Sequence, residues 1–244
     1  EMPSFSEDEY HSELAIDASG YLYVTWIRDD GVIVRTRSAN PDDPTSWEYI
    51  KGLTTSEPCA TPTIAVSGSG DFSTVFIASS WLTINWDLYV YEWTLIWMYS
   101  TNGGSTVTYD YFVPDGYQDT WPDAELDGAT CYLVNGEEDY YTGEVDILLA
   151  ADAVSGGFTD PVYLTDWTNM NCGFPILAAD GEKVHVVYQL DFDDGLGNID
   201  GDIIHCYSWD GCATVYGPYS IVEDDHESVG PVVYTEPSAS DVIP

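Results

Sequence analysis

Four stretches of this chain begin alike, and that repetition limits its fold more than any other feature. Residues 12–26 read SELAIDASGYLYVTW, 62–78 read PTIAVSGSGDFSTVFIA, 122–134 read PDAELDGATCYLV, and 175–188 read PILAADGEKVHVVY. Each is a short apolar strand, a turn with Gly beside Asp or Ser, and a second strand of alternating apolar residues. That is the pattern of a β-hairpin. Aligned starts at Ser12, Pro62, Pro122, Pro175 and Pro231 lie 50, 60, 53 and 56 residues apart. The spacing suits a four-stranded propeller blade, and no long segment shows the 3.6-residue period of a helical repeat. The expected fold is all-β and propeller-like, with four four-stranded blades plus the first strand of a fifth. The parts are an N-terminal extension (1–11), a four-blade region (12–230, divided at about 12–61, 62–121, 122–174 and 175–230), and residues 231–244. The last part reads as the first strand of a further blade or as a donated strand, because PVVYTE at 231–236 matches only the start of a repeat. Three readings follow: an excerpt of a longer protein, a small ring sealed by that strand, or a strand lent to a neighbouring copy.

The second halves of the repeats agree. Residues 100–107 read STNGGSTV, 208–215 read SWDGCATV, 38–47 read SANPDDPTSW, and 153–159 read AVSGGFT. These resemble degenerate Asp boxes, S-x-D-x-G-x-T-W, of the sialidase-like (BNR-repeat) β-propeller superfamily. Asn40, Asn102 and Asp210 fill the Asp position, and the strands opened by Asp146 and Asp202 resemble the strand that leads into the box. The resemblance covers about residues 12–230. It implies that box turns lie on one face of the propeller, while the loops joining second to third strands, and blade to blade, lie on the other. That second face carries the usual ligand site. Here it would collect Asp29, Asp30, Asp87, Glu137, Glu138, Asp139, Asp191, Asp193, Asp194, Asp115, Asp119, Asp166, Glu223, Asp224, Asp225 and Glu227, with Tyr117, Trp121 and Trp167 among them. The functional reading is a cation- or sugar-binding face, and the structural alternative is solvated loop acid.

Composition narrows the function. Of 244 residues, 43 are Asp or Glu and only 5 are Lys or Arg, for a formal charge of −38. Nucleic-acid phosphates and anionic lipid both need basic side chains, so neither partner is expected. No apolar run is long enough to insert in a membrane. Apolar content of 44% and aromatic content of 14% exclude a disordered acidic tail. Self-repulsion at this charge calls for salt, bound divalent cations, or simple tolerance. Cys59, Cys131, Cys172, Cys206 and Cys212 form no CxxC motif, and Cys206 with Cys212 either pair or serve as buried apolar residues.

A sialidase holds its substrate carboxylate with arginines from separate blades. Arg28, Arg35 and Arg37 all fall in one repeat, so that activity is not expected. A glycosidase needs only two suitably separated carboxylates, and 43 candidates offer no selection. His185 and His205 sit in apolar strands and read as packed. Residues 191–202, DFDDGLGNIDGD, gather Asp191, Asp193, Asp194, Asn198, Asp200 and Asp202 with three glycines, a candidate Ca²⁺ loop that misses the EF-hand register. Residues 137–146 are a second acidic turn. In the aromatic segment 81–99, Tyr89, Tyr91, Trp93, Trp97 and Tyr99 alternate onto one strand face, suited to sugar stacking or to packing between blades. No catalytic residue is assigned. Candidate ligand contacts are Tyr117, Trp121, Trp167, Trp93 and Trp97. The expected function is an extracellular or cell-surface binding or assembly module, leaning away from an enzyme, with itself (through 231–236) or glycans as partners. The alternative is a glycoside-processing enzyme that uses the acidic, aromatic face.

Overall fold

Apolar residues run almost unbroken along the middle strands of each repeat because both faces of those strands are covered. The computed structural model describes residues 9–28, 30–48, 51–52, 58–112, 115–139, 141–158, 161–165, 171–193, 199–222, 231 and 233. The first blade is β1 (Glu9–Ile16), β2 (Leu22–Arg28), β3 (Ile33–Asn40) and β4 (Asp43–Trp47), with the short β5 (Lys51–Gly52) also on β3. The second is β6 (Cys59–Ser67), β7 (Thr74–Asn85), β8 (Val90–Ser100) and β9 (Thr108–Tyr111). The third is β10 (Tyr117–Asp127), β11 (Thr130–Asp139), β12 (Val145–Ala153) and β13 (Val162–Tyr163). The fourth is β14 (Asn171–Asp180), β15 (Lys183–Asp193), β16 (Ile199–Ser208) and β17 (Tyr216–Val222). Pairing inside each blade is antiparallel, and one parallel bridge, Val145 to Asn171, joins the third blade to the fourth. The all-β, four-bladed propeller-like architecture expected from the repeats is the architecture observed.

Period-2 alternation explains the packing. In β11, Cys131 and Leu133 turn toward the second blade, where they meet Phe76, Ala78, Leu95 and Trp97. Tyr132 and Val134, from the same strand, turn toward Val184, Val186 and Tyr188 of the fourth. β7 divides the same way: Val75 and Ile77 face Tyr23, Ile27 and Ile33 of the first blade. Trp97, expected among the ligand contacts, is corrected by this arrangement. It is 1% exposed, edge-on to Phe158 at 5.2 Å and to Phe112 at 5.1 Å. Its large apolar surface seals the seam between the second and third blades, so it is not available to a ligand.

Two turns share one hydrogen-bond pattern. The Ser100 hydroxyl accepts from the Gly104 N–H at 2.9 Å, and Asn102 accepts from the Thr106 N–H at 2.9 Å. At the equivalent turn, Ser208 accepts from the Cys212 N–H at 3.0 Å, and Asp210 accepts from the Thr214 N–H at 2.8 Å. In each turn a short side chain satisfies main-chain donors that the strands leave behind. Gly104, at φ +80°, approaches Arg35 so closely that an added Cβ would lie 2.4 Å from the guanidinium. All five cysteines are buried, and Cys206 and Cys212 do not pair with each other. His185 and His205 stack on each other at 5.3 Å.

Candidate active site

The first strands of the four blades meet around a common axis, β1 beside β6, β6 beside β10, and β10 beside β14. Each carries a bulge near its start. Each bulge also holds a non-glycine residue in the left-handed region: His11 at φ 50°, Thr61 at 48°, Trp121 at 48° and Phe174 at 49°. Such residues are uncommon away from glycine, and four at equivalent positions mark a designed feature. They immediately precede Ser12, Pro62, Pro122 and Pro175, the aligned starts of the sequence repeats. Together the four bulges wall a pocket of about 380 Å³, which Pro231 also lines. The strand order puts this pocket at the same end as the loops joining second to third strands, opposite the turns at 100–106 and 208–214.

The residue one step past each aligned start lies in the pocket wall: Glu13, Thr63, Asp123 and Ile176. Two of these are carboxylic acids from different blades. Asp123 is held by three donors. The Leu177 N–H of the fourth blade reaches Oδ2 at 2.8 Å, while the Ala124 N–H at 2.9 Å and the Thr63 hydroxyl at 3.2 Å reach Oδ1. Burial raises its pKa, and these hydrogen bonds oppose the rise. Glu13 lines the pocket as a solvent-exposed residue. Burial and then the charge of Asp123 push its pKa up. Glu125, two residues further along β10, is pushed up to about 7 by burial and by Asp123. The result is a set of neighbouring acids all held above their ordinary pKa, of which Asp123 accepts the most hydrogen bonds. Trp121 and Phe174 form an aromatic pair on the wall, with ring centres 4.8 Å apart.

The sequence candidates fall in different places. Trp121 is in the pocket. Tyr117 lines a separate hollow of about 520 Å³ on the third blade with Glu137, Asp146, Tyr163 and Thr165. There the Tyr163 hydroxyl already donates to Glu137 at 3.0 Å. Trp93 is half-buried on β8, and Trp167 lies outside the described residues. Of the calcium candidates, Asp191 and Asp193 end β15 and Asp200 and Asp202 lie on β16, where Asp191 pairs with Gly201 and Asp193 with Ile199. Asp194 and Asn198 fall outside the described residues, as do the side chains of Asp191, Asp193 and Asp200. Among the described residues, no group of three or more His, Cys, Asp or Glu is arranged to hold a metal ion. The expected pairing of 231–236 also falls outside them, except for Pro231 and Val233. Glu13, Asp123 and Phe174 were missed in the sequence, although the offset of one residue from Ser12 and Pro122 marks the two acids.

No family model matches the chain, and no curated protein does. Solved structures do. The α-L-arabinofuranosidase of Fusarium graminearum in complex with an iminosugar inhibitor aligns with a TM-score of 0.61 at 13% identity, over 91% of this chain and 70% of that one. The α-L-arabinanase of Penicillium chrysogenum complexed with arabinobiose aligns at 0.57 and 13% identity, over 85% of this chain and 66% of that one. A polysaccharide lyase of family PL25, an ulvan lyase, aligns at 0.54 and 12% identity, over 88% of this chain and 58% of that one. The chain therefore spans about two thirds of the length of the first two. These likenesses establish the β-propeller fold. They also correct the expectation of a non-catalytic binding or assembly module, since the propellers it matches include glycoside hydrolases and the catalytic alternative is the reading they favour. No helix among the described residues is long and apolar enough to cross a membrane.

Proposed function

We propose that this propeller is a glycoside hydrolase whose reaction takes place in the central pocket, with Glu13 as proton donor and Asp123 as the reacting carboxylate. One observation carries the reading: two acids from separate blades face one pocket beside an aromatic pair. The kinship of fold with sugar-cleaving enzymes supports it.

The roles follow from surroundings. Glycoside cleavage needs one carboxyl group that holds a proton and one that stays ionised. Asp123 accepts three hydrogen bonds that favour its charged form. Burial and the neighbouring charge of Asp123 favour the protonated form of Glu13. Glu13 gives its proton to the glycosidic oxygen as the bond to the anomeric carbon breaks. Asp123 then either attacks that carbon, to be displaced later by water, or takes a proton from the water that attacks. Both routes consume one water per bond: in the first Glu13 takes its proton back from that water, and in the second Asp123 takes it and solvent returns a proton to Glu13. The anomer released first, read by proton NMR, separates the two. Trp121 and Phe174 supply an apolar face against which a sugar ring stacks.

The turns at 100–106 and 208–214 support placing the chain within the sialidase-like superfamily, while its arginines do not support sialidase chemistry. An extracellular or cell-surface site of action accords with a polymeric glycan substrate. The experiment is a screen of aryl glycosides and plant and algal oligosaccharides with the wild-type protein and with Glu13→Gln. Release of reducing sugar by the first and its loss in the second is the expected result.

A further inference from the structure

Resting on the hydrolase reading, we infer that the central pocket selects uncharged sugars and rejects uronic acids, sulfated sugars and sialic acids. Positive charge is placed almost entirely away from the pocket. The chain has five Lys and Arg side chains, every one of them described, and none lines the pocket. Arg28 forks onto Asp30, its Nε donating to Oδ1 at 3.0 Å. Arg35 is buried and donates to the Gly104 carbonyl. Arg37 is engaged by Glu48 at 2.9 Å and Asp71 at 3.0 Å, over the ring of Tyr21. Lys51 reaches the Gly104 carbonyl at 3.5 Å, and Lys183 lies 4.0 Å from Asp180.

What does line the pocket is the opposite. Glu13 and Asp123 stand in the wall, and Glu125 lies two residues below Asp123. The rest of the described wall is hydroxyl, proline, aliphatic or aromatic, with His11 the one basic side chain. Charge-assisted recognition of a carboxylate or sulfate uses a guanidinium, an ammonium, an imidazolium or a bound cation, and of these side chains the described wall offers the His11 ring alone. An anionic sugar here would lose its hydration and meet two or three carboxyl groups without a partner, which is discrimination by repulsion. A neutral ring meets hydroxyl acceptors and an aromatic face, and loses nothing of the kind. The ulvan lyase that shares this fold is described with a bound chain containing a uronic acid and a sulfated rhamnose. This placement of charge separates the pocket from such a ligand.

The test compares sugars that differ only at C6. Galactose and galacturonic acid oligosaccharides of equal length, thio-linked so that turnover does not interfere, are titrated calorimetrically, with chelator present, into the wild-type protein. The same pairs are assayed as aryl glycosides with the wild type. The neutral member of the pair is expected to bind at least tenfold tighter. Ile176→Arg, which places a cation in the wall, should narrow that gap, and its circular dichroism would show that it folds. Equal or tighter binding of the uronide overturns the inference, as does failure of both sugars to bind. Preferential neutral binding with no cleavage of any glycoside by the wild type leaves the inference standing and sinks the hydrolase reading. Cleavage of uronides in preference does the reverse.

Discussion

The main-chain N–H of Leu177 donates to the carboxylate of Asp123 at 2.8 Å across the seam between the fourth and third blades. One oxygen of an acid in the pocket wall is thereby fixed by a neighbouring blade, and the other by Thr63 of the second. The same contacts that join these blades orient the acid. Replacing Asp123 therefore has two separable effects. Asp123→Asn keeps the shape but sets its amide N–H against one of the donors that hold Asp123, so it should reduce kcat at least a thousandfold with a modest fall in Tm. Asp123→Leu removes the acceptor from the buried Leu177 N–H and should also lower stability by about 1–3 kcal/mol, read by urea denaturation.

The pH profile should report the coupled pair. Turnover requires Asp123 ionised and Glu13 protonated, giving a bell in kcat/KM. Because burial and Asp123 raise the Glu13 pKa above its ordinary 4.5, the alkaline limb should lie above the usual glutamate range. Glu13→Gln should slow cleavage of natural glycosides by about 10²–10⁴-fold. It should spare dinitrophenyl glycosides, whose leaving group needs no proton, and abolish their alkaline limb.

Asp17 ties the first two blades together at the end opposite the pocket. It is 5% exposed. It accepts from the Ser19 N–H at 2.8 Å, the Gly70 N–H at 2.7 Å and the Ser73 hydroxyl at 2.8 Å. Burial alone would raise its pKa, but these bonds, led by Ser73, bring it below the ordinary 3.8. An acid with a depressed folded pKa stabilises the protein above its unfolded value. That stability is lost as the pH falls through the folded value. Asp17→Ala should destabilise by about 2–4 kcal/mol near neutrality, and by less as the pH falls below the unfolded value of about 3.8.

Asp119 has the opposite sign. Burial, then Glu137 and Asp115, raise its pKa to about 8, so the folded protein keeps a proton there that the unfolded chain has released. Its contribution is present at low pH and is lost as the pH rises from about 4 to 8. Asp119→Asn, with Asn135 turned to match it, should flatten the decline of Tm over that range. Parallel slopes in the two proteins would contradict this.

Gly104→Ala should destabilise the turn, since φ of +80° disfavours a side chain and the Arg35 guanidinium would have to move aside. A loss of about 1–3 kcal/mol is expected. Trp97→Ala should destabilise by about 3–5 kcal/mol with KM unchanged in the folded fraction. Trp121→Ala should raise KM with little change in stability.

The repeats were legible because each blade is one hairpin plus its return, and the hairpin pattern survives sequence divergence. The axis was half-legible. Pro62, Pro122 and Pro175 aligned the repeats, but nothing in their spacing announced that the residue before each is left-handed and the residue after it faces a pocket. That requires the bulge, which is a property of pairing between strands. Glu13 and Asp123 were hidden among 43 acids, and only the convergence of separate blades distinguishes them. Trp97 and Tyr91 alternate onto the same side of β8, yet one is 1% and the other 66% exposed. The difference lies in where the neighbouring blade ends, which no local pattern encodes.

The most direct test is single-turnover hydrolysis of a neutral aryl glycoside identified in the screen, comparing wild type with Asp123→Asn and checking each fold by circular dichroism. The account predicts turnover by the wild type and at least a thousandfold loss in Asp123→Asn at unchanged fold. Wild-type rates in a folded Asp123→Asn protein would contradict it.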